Sequence, residues 1–287
     1  MRIALAAVSL SLAAAFASAR PGPYPTPTGN VTADVSAALA VARRIDDVSR
    51  VSALTAFRGR TFLKFDARGT GQAVEVLGDL EAATRIAVVV PGADNTLENY
   101  DKPKFVGASA RNLYAQMRSE APAVSLAVVA WLGYDSPRSI SPAAVTTGRA
   151  SRAARDLASF TDSLPSVPIT LVCHSYGSVV CAKAAATARV NDLVLIGSPG
   201  VPAATASGLG TKARVWATRS PDDWIRYLPS FRLLGLGLGT DPTSPAFGAR
   251  RLPSGTGPHS AYFTPGSEPL RALAHLALGT PTGAHHE

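Results

Sequence analysis

The sequence predicts an α/β protein with a mostly parallel central sheet flanked by helices. Three observations carry this expectation. From residue 85 onward, short runs of β-branched and aliphatic residues alternate with helix-compatible segments. Those runs are apolar throughout rather than alternating, the pattern of strands covered on both faces. The chain has 287 residues, 46% hydrophobic and 17% charged, enough to bury one large core.

The first 19 residues, MRIALAAVSLSLAAAFASA, combine an early Arg2, an apolar run and a small-x-small end at Ala17-Ser18-Ala19. This is the pattern of a secretory signal peptide cleaved near Ala19. The apolar run falls short of the ~20 residues a spanning helix needs, so a membrane anchor is the weaker reading. A secreted or cell-envelope location is therefore expected. Residues 20–30, RPGPYPTPTGN, are rich in Pro and Gly and read as an extended linker or disordered arm. Residues 31–280 are expected to form the folded domain, and 281–287 a disordered tail.

Residues 31–51 read as one helix, with Asn30 or Thr32 as its cap. TFLKFD and QAVEVLG, separated by ARGTG, read as a hairpin. RIAVVVPG is then a strand and GASARNLYAQMRSE a helix; AVSLAVVAWLGYD is a strand and residues 148–164 a helix. PITLVCHS is a strand and YGSVVCAKAAATA a helix. NDLVLIGSPG and KARVWATRS are two more strands, AFGARRL is strand-like, and GSEPLRALAHLALG is a closing amphipathic helix.

The chemistry centres on ITLVCHSYGSVVCAK. A buried strand ends at Ser175 and a helix begins directly after it. In open α/β sheets ligands bind beyond the carboxyl ends of the strands. A sharp turn there lifts the serine hydroxyl clear and aims the next helix N-terminus at the same spot. Small residues two before and two after the serine allow strand and helix to approach closely. Gly177 meets that need fully, and Cys173, in place of glycine, partly.

A serine nucleophile needs a base, and the chain has five histidines. His174 adjoins Ser175, and its side chain is expected to point away. His275 lies inside the last helix, and His285 and His286 in the tail. His259, in the loop SGTGPHSAYF, remains. A carboxylate must then hold its tautomer. Asp192 begins a strand at the wrong end, and Asp241 sits in a distant loop. Asp222 and Asp223 follow KARVWATRS directly. Asp223 is favoured, with Asp222 the alternative; whichever is not the acid is expected to cap DWIRYL. The oxyanion donors are expected at Tyr176 and at Ala93, in the turn after RIAVVVPG. Asp94 is expected to cap the turn that follows. Leu234 and Leu236, in the Gly-interrupted stretch LLGLGLG, together with Trp131 and Tyr134, are candidates for the substrate pocket.

The two cysteines, Cys173 and Cys181, lie close enough in sequence to bridge strand and helix, but a disulfide and two buried thiols remain open. The net charge of +8 is scattered without basic runs. That argues against nucleic-acid binding and leaves a weak attraction to an anionic envelope. No H-x-x-H, C-x-x-C or P-loop pattern occurs, so no metal or other cofactor is expected.

The segments PGADNTL, WLGYDSP, HSYGS, IGSPG, DWI, DPTSPAFGARRL and HSAYF together resemble an actinobacterial α/β-hydrolase family long catalogued as a domain of unknown function. The likeness runs from about Ala33 to Gly279. It implies the α/β-hydrolase fold and a Ser–Asp–His order that maps onto Ser175, Asp223 and His259. Cys173, Pro91 and Pro258 depart from the pattern and leave all three residues in place. The expected activity is that of a secreted serine hydrolase, esterase- or lipase-like, acting on a small-molecule or lipid carboxylic ester through an acyl-enzyme. The alternatives are cleavage of amide or peptide bonds in envelope material, or a non-catalytic envelope protein that keeps the fold.

Overall fold

The computed structural model describes residues 23–139, 148–227 and 238–280. The signal-peptide segment, the tail from residue 281, and Leu234 and Leu236 lie outside the described residues. Eight strands are present: β1 (Thr61–Asp66), β2 (Gln72–Gly78), β3 (Arg85–Val90), β4 (Leu126–Leu132), β5 (Ile169–His174), β6 (Asp192–Ile196), β7 (Arg214–Thr218) and β8 (Arg250–Arg251). They form one sheet in the order β1-β2-β4-β3-β5-β6-β7-β8. The pairings from β4 to β8 are parallel, while β2 runs antiparallel to both β1 and β4.

Burial follows the apolar runs. Every residue of β4 and of β6 is buried, as are the last five of β3 and the first five of β5. Their side chains feed two apolar clusters, one on each face of the sheet. Helices α3 (Val106–Glu120) and α6 (Glu268–Leu278) cover one face. Helices α4 (Gly148–Ser163) and α5 (Gly177–Ala184) cover the other.

The single helix expected over residues 31–51 is two, α1 (Val31–Arg44) and α2 (Val48–Ala56). Asp46 takes a left-handed backbone with φ 55°, and the Asp47 carboxylate accepts the Arg50 N–H as the cap of α2. The apolar spacing runs on across the break, so capping decides it. Asn30 caps α1 by accepting the Ala33 N–H. The described part of the Pro-rich arm is mostly exposed but anchored at Tyr24. Tyr24 is buried, donates its hydroxyl to Asp47 and lies under the Arg50 guanidinium.

The architecture brings the carboxyl ends of β3, β5, β6 and β7 to one edge. Strand β5 sits between β3 and β6. Whatever follows His174 therefore emerges beside the loops leaving both neighbours.

Candidate active site

Ser175 sits in the turn between β5 and α5 with φ 55°, a left-handed conformation that its Cβ disfavours. The turn is held on several sides. The Ser175 N–H donates to the Ile196 carbonyl, and the Ser175 carbonyl accepts the Ser178 hydroxyl at 2.6 Å. A Cβ on Gly177 would stand 2.5 Å from the Pro91 carbonyl oxygen and 2.6 Å from that of Val90. Glycine is what lets α5 start against the end of β3. A Cβ on Gly92 would meet the Ser175 Cβ at 2.6 Å.

The His259 Nε2 lies 2.8 Å from the Ser175 hydroxyl, and its Nδ1 lies 2.9 Å from both Asp223 oxygens. Asp223 follows β7 and His259 follows β8, so neighbouring strand ends deliver both. Asp223 is fully buried. It also accepts the Ile225 N–H at 2.9 Å and the Tyr262 hydroxyl at 2.5 Å. Burial pushes its pKa up, but the bonds from His259 and Tyr262 outweigh that and hold it below the usual carboxylate value. Tyr262 is itself fixed by accepting the Ser220 N–H, and burial followed by the Asp223 contact pushes its phenol far up. The sequence places Tyr262 three residues after His259, but no pattern in it links that hydroxyl to the acid.

Asp222 does not cap the turn that follows. Its carboxylate accepts the Gly257 N–H at 3.1 Å and so braces the loop that carries His259. The cap over residues 224–227 comes from Asp223 itself, through Ile225. Of the other acids, Asp192 begins β6 and is spent on Arg214 and the Trp216 indole. Asp241 pairs with Arg219.

The loop after β3 is held from behind. The Pro91 carbonyl accepts the Tyr134 hydroxyl at 2.7 Å, and the Gly92 carbonyl accepts the Ser136 hydroxyl at 2.8 Å. Buried Asn95 donates to the Gly92 and Ala93 carbonyls and accepts the Val106 N–H. In a planar trans peptide the C=O and the next N–H point oppositely. With the Gly92 carbonyl turned toward Ser136, the Ala93 N–H points away from Ser136, and Ala93 lines the pocket. By the same geometry the Ser175 carbonyl, turned toward Ser178, directs the Tyr176 N–H outward. Asp94 does not cap its own turn. Its carboxylate binds the Ser139 N–H and hydroxyl, tying this loop to the one after β4.

Two expected pocket residues lie elsewhere. Trp131 is buried within the core, stacked on Tyr134 and packed near Phe160. It lines a separate cleft of about 330 Å³ with Leu63 and Phe160. Position 131 lies inside β4, before the strand end, and its side chain faces α4. Tyr134 supports the Pro91 carbonyl from behind and lines no wall. The pocket that holds Ser175 and His259 measures about 450 Å³, with Phe105, Pro199, Trp224, Ile225, Leu238 and Pro258 as its apolar lining.

His174 does not point away from the site. Its Nε2–H donates to the His259 carbonyl at 2.8 Å, and the two rings are 4.7 Å apart. Burial, then the neighbouring His259, lowers its pKa to about 3, so it is neutral at ordinary pH. Cys173 and Cys181 form a disulfide. Among the described residues, no group of three or more His, Cys, Asp or Glu side chains is placed to hold a metal ion.

A serine on a strained strand–helix turn, joined through histidine to a buried carboxylate at the carboxyl edge of this sheet, defines the class as α/β hydrolase. A family model described as "Alpha/beta hydrolase" matches residues 66–233, more than half of the chain, and the chain belongs to that family. The uncharacterized protein Rv2079 of Mycobacterium tuberculosis is 30% identical over 252 residues, covering 74% of this chain and 37% of that protein. Rv0963c, also uncharacterized and from the same organism, is 33% identical over 148 residues, covering 47% of this chain and 55% of its own. The chain thus spans little more than a third of the first relative and about half of the second. Among solved structures, the serine hydrolase XC6422 of Xanthomonas campestris, described as lacking a lid, matches with TM-score 0.44 and 14% identity over 77% of this chain and 94% of that one. The esterase PE8 matches with TM-score 0.46 and 13% identity over 73% and 99%.

Proposed function

We propose that the protein is a serine hydrolase that cleaves carboxylic esters through an acyl-enzyme. One observation carries the reading: the unbroken hydrogen-bonded series from the Ser175 hydroxyl through His259 to buried Asp223, opening into a pocket of about 450 Å³. Ser175 Oγ attacks the ester carbonyl as His259 Nε2 takes its proton, and Asp223 stabilises the imidazolium. The carbonyl oxygen, now negative, accepts from the Ala93 and Tyr176 N–H groups. Collapse expels the alcohol, which takes the proton back from His259. A water activated by the same histidine then releases the acid and restores Ser175.

The apolar lining of the pocket favours an acyl group of some length over acetyl. The disulfide supports a life in an oxidising compartment, in keeping with export of the chain. The test is a panel of p-nitrophenyl esters of graded chain length. Turnover is expected with the intact protein and a loss of roughly 10⁴ or more with Ser175→Ala or His259→Ala. Equal rates for intact protein and both variants overturn the reading.

A further inference from the structure

The cysteine that replaces the glycine two residues before Ser175 is bonded to the helix that follows it. Cys173 pairs with Val90 and Leu195 in the middle of the sheet, and Cys181 lies in the second turn of α5. Both side chains are fully buried on the α4–α5 face. The covalent ring they close contains His174, Ser175 and Tyr176. These are the residue gripping the His259 carbonyl, the nucleophile, and the N–H expected to meet the oxyanion. The disulfide therefore spans the strained turn at Ser175, φ 55°.

A strained turn persists only while its surroundings over-determine it. In the usual form of the motif, glycine at this position lets strand and helix close on each other by packing. Here a side chain occupies that contact, and the bond from Cys173 to Cys181 ties the two elements together. The ties on the Ser175 main chain, from Ile196 and Ser178, fix one peptide each. The disulfide fixes the end of β5 relative to the second turn of α5, and with it the angle at which the hydroxyl leaves the turn.

We propose that the Cys173–Cys181 disulfide is a positioning element of the active site, so that turnover depends on its oxidised state. Reduction by a thiol or phosphine adds two electrons and two protons, giving two thiols and leaving the reductant as its disulfide or phosphine oxide. The freed strand and helix then hold Ser175 against His259 less closely, while the apolar pocket walls, carried by other loops, stay in place. The loss falls on kcat rather than KM. An enzyme made this way is weak in a reducing compartment and gains full activity on reaching an oxidising one.

This inference rests on the serine-hydrolase reading, and the experiment separates the two. The double variant Cys173→Ala/Cys181→Ala and the intact oxidised protein are compared on p-nitrophenyl butyrate well below the melting temperature of each. The expected result is a fall in kcat of roughly tenfold or more, with KM held within about twofold and fluorophosphonate labelling slowed by the same factor as kcat. If the variant does not fold, the intact protein is reduced with a water-soluble phosphine in mild urea, assayed, and reoxidised. Its kcat should fall and return while near-ultraviolet circular dichroism holds. Wild-type kcat in the folded variant or the reduced protein, or a loss confined to KM, overturns the proposal. Absence of both turnover and labelling in the oxidised protein overturns instead the hydrolase reading beneath it.

Discussion

Neutral His174 gives the fold an acid-sensitive point, and its size follows from the site. The ring is half-buried, packed among His259, Tyr262 and Phe263 at the wall of the pocket with Asp223 nearby, and its pKa falls from 6.5 to about 3. A basic group with a depressed folded pKa binds fewer protons in the native chain than in the unfolded one. Its contribution is complete above pH 6.5 and is lost as the pH falls from there toward 3. At roughly 1.4 kcal/mol per unit, the loss between pH 7.5 and pH 4.5 is on the order of 2–3 kcal/mol. His174→Gln keeps an N–H donor close to the position of Nε2 and removes the titration. Urea unfolding at the two pH values should show the wild type losing on the order of 2–3 kcal/mol more than the variant. Equal losses in both proteins refute the assignment of His174 as a neutral, half-buried ring.

Further outcomes follow from named contacts. Gly92→Ala would set a methyl group against the Ser175 side chain, so kcat should drop about 100-fold in steady-state assays with the fold retained. Asp223→Asn should cost about 10⁴ in turnover through the wrong histidine tautomer. Asp222→Asn, which loosens only the bond to Gly257, should cost a fewfold at most; the reverse order would reassign the acid. Leu238→Asp, placing a charge in the apolar pocket lining, should raise KM for hexanoyl esters far more than for acetyl esters.

The central strands were legible because burial on both faces leaves uninterrupted apolar runs, as in LAVVAWL of β4. Ser175 and His259 were legible from the strand end and the shortage of competing histidines, and the acid narrowed to Asp223 with Asp222 as the alternative. The break at Asp46 was not legible, since the apolar spacing of α1 and α2 continues across it and only a left-handed residue and the Asp47 cap interrupt the helix. Trp131 and Tyr134 misled for a related reason. Closeness to a strand's end does not say which way a side chain faces, and β4 turns Trp131 toward α4. The roles of His174, Asp94 and Tyr262 depend on contacts across 85, 45 and 39 residues respectively, which no local pattern reports. The disulfide needed the distance between β5 and α5, which the spacing of the cysteines left open.

The central claim is that Ser175 is a nucleophile activated by His259. Its most direct test is the intact mass of the protein after exposure to a fluorophosphonate. One adduct per chain on Ser175 is expected, absent in Ser175→Ala and formed far more slowly in His259→Ala. An unmodified wild-type protein, or an adduct on another residue that persists in Ser175→Ala, contradicts the claim.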